Sequence, residues 1–405
     1  MEMVYPRAAG LDVHKKTVVA CVITPEVRET RTFGTMTGDL HALKDWLQKC
    51  KVSHVAMEST GVFWKPVWNL LEAEFTLFLV NSRHIKNVPG RKTDVKDAEW
   101  IVDLLRHGLV RGSFVPDRQL RELRELVRYR RSLIEERSRE VNRIQKVLEG
   151  ANIKLSSVAT DIVGVSGRAI LEAMISGVED TKVLADMAKG VLRRKKASLE
   201  EALQGVMGDS QRTVLSIQLD HLDSLDQHIA RLDDEIDRGM KHMEEALRRV
   251  DTLPGIDRRG AQEVLVETGT NMGIFPGAGH FSSWIGLCPG NNESAGKRKS
   301  GRTRKGNRWL TSTLVRAARS AVRSPHNYFY ALYHRIVGRR GDGRAIVAVA
   351  NSMAVTIYHM LSEGTEYHDL GPHYFDERDQ QRVVQRAVRR IESLGYKVTL
   401  GPATA

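Results

Sequence analysis

Four acids far apart in the chain, Asp12, Glu58, Asp94 and Asp97, have the residue type and setting that divalent-metal phosphodiester chemistry requires. Two Mg²⁺ ions that activate a nucleophile and steady a leaving oxygen need several carboxylates converging from different parts of a fold. Asp12 lies near the end of an apolar strand, Ala-Ala-Gly-Leu-Asp-Val, and Glu58 directly follows the short apolar run His54–Met57. Asp94 and Asp97 are three apart on a predicted helix, so they face the same way. That spacing alone is weak, because Asp220, Asp223 and Asp226 repeat it where a heptad pattern makes it a solvated helix face. The setting differs: Lys86, Arg91, Lys92 and Lys96 surround the pair, and acid within base suits a metal over a phosphate. Taken singly, Asp12 reads as a strand-end turn cap and Glu58 as a helix-start carboxylate; taken together, the four read as a metal site.

A second centre lies between Trp284 and Leu310, a glycine-rich stretch with no acid after Glu293. Its cations are Lys297, Arg298, Lys299, Arg302, Arg304, Lys305 and Arg308. Such a loop would wrap a nucleic-acid backbone and stabilise a pentavalent phosphate. A serine hydroxyl here could attack phosphorus once a base or metal removes its proton, and Ser294 and Ser300 are both candidates. The alternative is a flexible binding loop whose serines only add polarity.

The elements that must position these groups follow from periodicity. Two apolar segments around His14-Lys15-Lys16 predict a β-hairpin over Ala8–Ile23, followed by a strand near Thr30–Met36. A helix through Leu40, Leu43, Trp46 and Leu47, capped by Thr37 or Asp39, precedes strand His54–Met57. An amphipathic segment from Phe63 to Leu71 and a strand over Thr76–Val80 complete an α/β layer with a mixed sheet covered by helices. An actin-like phosphate loop is disfavoured, since it wants glycine where His14-Lys15-Lys16 stands.

After Pro116 the texture changes. Leu120, Val127, Ile134, Val141 and Leu148 recur every seven residues, as do Leu215, Leu222, Ile229, Ile236 and Met243. Arg130 and Arg137 fall on the secondary seam of the first run, which implies another helix, or a phosphate, against it. Long heptad helices need a partner, so a helical hairpin or paired dimer arms, and homo-oligomers, are expected. Leu253-Pro254-Gly255-Ile256-Asp257 resembles a helix-hairpin-helix turn able to hold a phosphate; an ordinary capped Pro-Gly turn is the plainer reading. The expected divisions are residues 1–117 for the carboxylate domain, 118–249 for a helical arm, 250–365 for the serine-bearing domain and 366–405 for a tail of unassigned role.

With 405 residues, one core would be a surprise, and 62 Lys+Arg against 50 Asp+Glu give a net charge of +12 that suits a phosphate-backbone partner. Cys21, Cys50 and Cys288 form no disulfide framework or zinc ribbon, which fits a reducing cytoplasm. No export signal is apparent, and no stretch approaches a membrane span on this reading.

The motifs Gly-Leu-Asp-Val-His-Lys, Met-Glu-Ser-Thr-Gly, Val-Pro-Gly-Arg-Lys-Thr-Asp-Val-Lys-Asp-Ala and Glu-Ser-Ala-Gly-Lys-Arg resemble the insertion sequence 110 family of transposases, which includes Piv-type DNA invertases. The likeness spans nearly the whole chain, and Asn-Val-Pro-Gly-Arg-Lys-Thr-Asp is similar to the insertion sequence 1111 subgroup. It implies an N-terminal RuvC-like domain of ribonuclease H fold whose DEDD metal site is Asp12, Glu58, Asp94 and Asp97. It also implies a coiled coil leading to a mostly helical C-terminal transposase domain, where Ser294, and not Ser300, forms a phosphoserine link during strand cleavage. Dimers or tetramers, element-end and target DNA, and a noncoding bridge RNA as guide are the partners so implied. The helical insert around Ser156–Asp209 departs from better-known members. Two other readings remain open: a RuvC-like junction nuclease in which metal-activated water cuts, and a non-catalytic nucleic-acid-binding protein.

Overall fold

The computed structural model describes residues 3–58, 61–81, 97–110, 112–290, 292–294, 297–300 and 303–401, with the backbone alone for 292–294 and 297–300. They form two compact units, Met1–Arg118 and Gln119–Ala405.

In the first unit, β1 (Ala8–Val13), β2 (Thr17–Ile23) and β3 (Arg28–Gly34) precede helix α1 (Thr37–Lys49) and strand β4 (His54–Glu58). Helix α2 (Trp64–Leu71), strand β5 (Thr76–Val80) and helix α3 (Asp97–Arg106) complete it. The five strands lie in the order β3-β2-β1-β4-β5. β1 is antiparallel to β2 and parallel to β4, so the sheet is mixed, as its sequence pattern predicts. β3 starts two residues before the expected Thr30, because a turn in which Thr24 N–H donates to the Val27 carbonyl brings Arg28 opposite Ile23. Its side chains are exposed or half-buried, so no apolar alternation marked its start.

Alternation assigns the two faces of the sheet. Leu11, Val13, Val18, Ala20, Val22, Val55 and Met57 are buried with Leu40, Leu43, Leu47 and Leu71 of α1 and α2. Ala8, Cys21, Ile23, Ala56 and Val80 are buried on the opposite face with Ala98, Ile101, Val102 and Leu105 of α3. Helix α3 crosses β1 at backbone contact over Gly10, where an added Cβ would lie 2.3 Å from the Ala98 carbonyl oxygen and 2.6 Å from the Val102 nitrogen. Gly10→Ala is therefore expected to cost about 1–3 kcal/mol through overpacking. Urea denaturation reads this, and an unchanged midpoint would show that the helix can lift without loss.

The second unit opens on two long helices, α4 (Arg118–Gly150) and α9 (Asp209–Gly239). They run antiparallel: Gly150 lies against Gln211, Arg137 binds Asp226, Arg130 binds Asp233, and Gly239 lies against Leu123. Each heptad stripe thus finds its partner within the same chain, the hairpin alternative of the two expected. The buried side of α4 runs through Leu120, Leu123, Val127, Arg130, Leu133, Glu140, Ile144 and Leu148, while Ile134 and Val141 are only half-buried. Leu148, in the same heptad phase, is buried because Leu155, Ile170 and Leu199 of the following segment share its core. Asp223 and Asp226 are half-exposed, as expected, and each also binds an arginine, Arg168 and Arg137 respectively.

Between these helices lie α5 (Leu155–Val158), α6 (Val165–Ile175), α7 (Thr181–Asp186) and α8 (Lys196–Ala202). Leu155, Ile170, Leu171, Leu184 and Leu199 share one core with Ile144 and Leu148 of α4 and Leu215 and Leu219 of α9, so the insert closes the hairpin's far end.

The chain then forms α10 (Glu244–Asp251), α11 (Arg258–Thr268), α12 (Ala278–Ile285), strands β6 (Asn292–Ser294) and β7 (Lys297–Ser300), α13 (Arg308–Ala321), α14 (Tyr328–Arg340), α15 (Asp342–Glu363), α16 (Tyr374–Arg378) and α17 (Gln380–Glu392). Contrary to the sequence reading, one segment does reach the length and apolarity of a membrane span, the 22-residue helix Asp342–Glu363. Its Ile346, Val349, Ala350, Met353, Ala354, Ile357 and Met360 are buried in the core of this unit, which accounts for its apolar character.

Candidate active site

Asp12 and Glu58 occupy neighbouring parallel strands. The β1–β4 register runs from Ala8 opposite His54 to Leu11 opposite Met57, which places Asp12 and Glu58 one step beyond, about 4.8 Å apart between strands. Glu58 pairs in register with Val80, and Ala8, Ala56 and Val80 all face α3, so alternation turns both acids toward that helix. The Val4 and Tyr5 N–H groups donate to the Arg106 carbonyl, which puts the C-terminal end of α3 beside the entry to β1. The helix N-terminus, where Asp97 stands in the first turn, is consequently at the strand ends that carry Asp12 and Glu58.

Asp97 is exposed and Glu58 half-buried. Asp12 keeps 17% of its side-chain surface, and its Oδ2 lies 3.0 Å from Nε2 of His14, a residue that sequence reasoning took only as part of a turn. The His14 backbone N–H donates to the Thr17 carbonyl and closes that turn, so the ring folds back onto the carboxylate. Asp94 and Lys92 lie outside the described residues, and with them the expected pairing of Asp94 with Asp97. Among the described residues, no three His, Cys, Asp or Glu side chains are grouped closely enough to hold one ion. The donors that are placed, carboxylate oxygens from adjoining strands, are those a hard divalent cation takes.

Ser294 ends strand β6, opposite Lys297 at the start of β7. The stretch read as a glycine-rich loop is a β-hairpin here, with Asn292 opposite Ser300 and a further bridge between Pro289 and Thr303. Ser300 is therefore at the hairpin's base and Ser294 at its tip. Lys297, Arg298 and Lys299 are on β7, Arg302 lies outside the described residues, and Arg304, Lys305 and Arg308 are exposed on the segment that leads into α13 and at its start. Two glycines make the stem. Gly286 ends α12 with φ +94°, and a Cβ on Gly306 would lie 2.3 Å from the Ile285 carbonyl oxygen.

Below the stem lies a buried ionic cluster that sequence reasoning missed. Glu267 of α11 is 2% exposed and accepts Arg128 Nε at 2.7 Å, Arg128 Nη2 at 2.8 Å and Asn307 Nδ2 at 2.6 Å. Asn307 in turn caps α13, its Oδ1 accepting from the Trp309 and Leu310 N–H groups. Arg128, Arg131 and Arg308 surround the Trp309 ring at 5.2, 5.4 and 5.0 Å. The hairpin that carries Ser294 is thus tied to the long helix α4. Only Arg128 falling four residues after Arg124 hinted at this, because nothing local says which distant acid will meet them. Arg130, fully buried, binds Asp233 and Gln262 at 2.8 and 2.6 Å, which settles the partner of that seam as other helices.

The turn at Leu253–Asp257 follows the plainer expectation. Asp257 accepts from the Gly260 N–H at 2.8 Å and so fills the N-terminus of α11, while Gly255 packs against the backbone of α13 at Ala317.

Sequence models of two families match this chain: the DEDD transposase of IS110 type over residues 9–153, which include Asp12, Glu58, Asp94 and Asp97, and the transposase IS116/IS110/IS902 family over residues 247–334, which include Ser294. The chain belongs to the IS110 family of transposases. It is 25% identical over 322 residues to the transposase for insertion sequence element IS1111A of Coxiella burnetii, covering 78% of this chain and 80% of that protein. It is 26% identical over 287 residues to the candidate transposase y4pF/y4sB of Sinorhizobium fredii, covering 68% of this chain and 64% of the relative, just under two thirds of its length. Membership makes this IS110-family transposase an enzyme of DNA transposition, which sets aside the non-catalytic reading. Its DEDD domain implies a ribonuclease H-like fold and divalent-metal dependence.

Proposed function

We propose that this transposase cuts and rejoins the DNA of its own element by a serine nucleophile, Ser294, acting with a Mg²⁺-binding carboxylate set of Asp12, Glu58, Asp94 and Asp97. The observation that carries the reading is the placement of Asp12 and Glu58 on adjoining strand ends, facing a helix whose N-terminal Asp97 is at the same end. Bound divalent ions would neutralise charge on the scissile phosphate and favour an ionised nucleophile. Ser294 Oγ forms a bond to phosphorus as a DNA P–O bond breaks, its proton passing to solvent and the departing DNA oxygen taking up a proton. The hydroxyl of a second DNA end then attacks the same phosphorus, which frees the serine and joins the strands. Lys92, Lys297, Arg298, Lys299, Arg302, Arg304, Lys305 and Arg308 hold the phosphate backbone.

On this reading the four divisions at residues 117, 249 and 365 are a carboxylate domain, a coiled-coil arm, a serine domain and a tail. The enzyme works in the cytoplasm as a dimer or tetramer, with a noncoding bridge RNA choosing donor and target; its three free cysteines suit that compartment. The test is a denaturing gel of protein incubated with labelled element-end DNA, Mg²⁺ and any RNA that copurifies. A covalent protein–DNA adduct is expected with the parent protein and none with Ser294→Ala. Cleavage without an adduct would support the junction-nuclease alternative, in which water attacks.

A further inference from the structure

We propose that a cleft between α14 and the C-terminal segment is a binding site for single-stranded nucleic acid, separate from the serine hairpin. The cleft has a volume of about 910 Å³. Arg335 and Arg339, four residues apart on α14, line one wall, and Arg382 and Arg386, four apart on α17, line the other. That spacing puts each pair on a single helix face, so two rows of guanidinium groups border one space. Asp376 is the one acid among the described lining residues, and Arg382 lies 3.7 Å from Asp379 outside it. Four arginines against so little negative charge repel one another, and a polyanion removes that cost. Planar guanidinium forks match phosphate oxygens in particular.

Aromatic rings decide between a single strand and a duplex. Tyr330 and Phe375 line the cleft and are half-buried, with the Arg335 guanidinium 4.9 Å from the Phe375 ring and Tyr330 4.2 Å from the His334 ring. Rings set among arginines are the platform on which unpaired bases stack, and a duplex offers no free base face. The volume is also that of a ligand pocket, near the top of the usual range of about 300–1,000 Å³. The wall formed by the tail is anchored: the Tyr328 N–H donates to Asp369 at 3.0 Å, and the Tyr328 ring stacks on Phe375 at 5.4 Å. All four arginines lie beyond residue 334, where the second family match ends.

The test compares full-length protein with Arg339→Gln/Arg386→Gln, exposed positions whose change leaves the core intact. Binding of labelled oligouridine, oligothymidine and a duplex of equal length is followed by fluorescence anisotropy across a salt series. Loss of two phosphate contacts is expected to weaken single-strand binding about tenfold and to make the salt slope shallower by about 1.4. A loss on oligouridine or on oligothymidine identifies the strand as RNA or DNA. A control pair, Arg193→Gln/Arg194→Gln, is expected to change neither quantity. Unchanged single-strand binding, a loss confined to the duplex, or an equal loss in the control pair would overturn the proposal.

Discussion

Asp12→Asn is expected to reduce strand exchange on element-end DNA by on the order of 10³-fold while leaving the fold intact. A carboxylate that holds a divalent ion contributes several kcal/mol of charge stabilisation at the reacting phosphate, and each 1.36 kcal/mol is tenfold in rate. Asparagine has the same shape and can still meet His14, whose bond to Asp12 is half in solvent, so the stability change should stay within about 1 kcal/mol. Glu58→Gln should behave alike, because the two acids stand on registered neighbouring strands. DNA binding should persist in both, since each change removes negative charge. Recombination, DNA affinity and urea midpoint measured together check this; activity within tenfold of the parent at equal binding would remove that acid from the chemistry.

The largest effect on stability is expected at Glu267. Its carboxylate faces Arg128 and Arg124, and burial pushes the Arg124 guanidinium down to about 10 even with Glu267 beside it. Glu267→Ala leaves two arginines close together without their counter-charge and deprives Asn307 of its acceptor. Breaking such a buried pair from one side costs about 3–5 kcal/mol. Glu267→Gln, which keeps an acceptor oxygen, should lose about half as much. Because Asn307 anchors the return of the Ser294 hairpin, the folded fraction of either variant should also exchange strands more slowly. Denaturant midpoints and single-turnover rates measured below the unfolding transition separate the two effects, and a stability loss below about 1 kcal/mol for Glu267→Ala would show the cluster to be incidental.

Much of the frame could be read from the residues alone. The apolar runs Ala8–Val13 and Thr17–Ile23 on either side of His14-Lys15-Lys16 foretold the hairpin, and the short apolar run at His54 foretold the strand that ends in Glu58. Both signals are local: a buried strand must show apolar residues on the face it buries, and a long helix must show a stripe. The insert at residues 151–208 was less legible, because its helices are short and their apolar faces meet only in the closed end of the α4–α9 hairpin.

Local periodicity states which face of an element is apolar and never which remote surface covers it. Sequence by itself therefore determined the five strands of the N-terminal sheet, the heptad helices, and the excess of cations around Ser294. Tertiary structure alone decided that the heptads pair within one chain, that α3 returns antiparallel over Gly10 and brings Asp97 to the strand ends, and that the serine loop is a hairpin on a Gly286–Gly306 stem. It also decided the partners of Arg128 and Arg130, more than a hundred positions away, because a buried guanidinium takes whichever acid the packed helices place within hydrogen-bond reach.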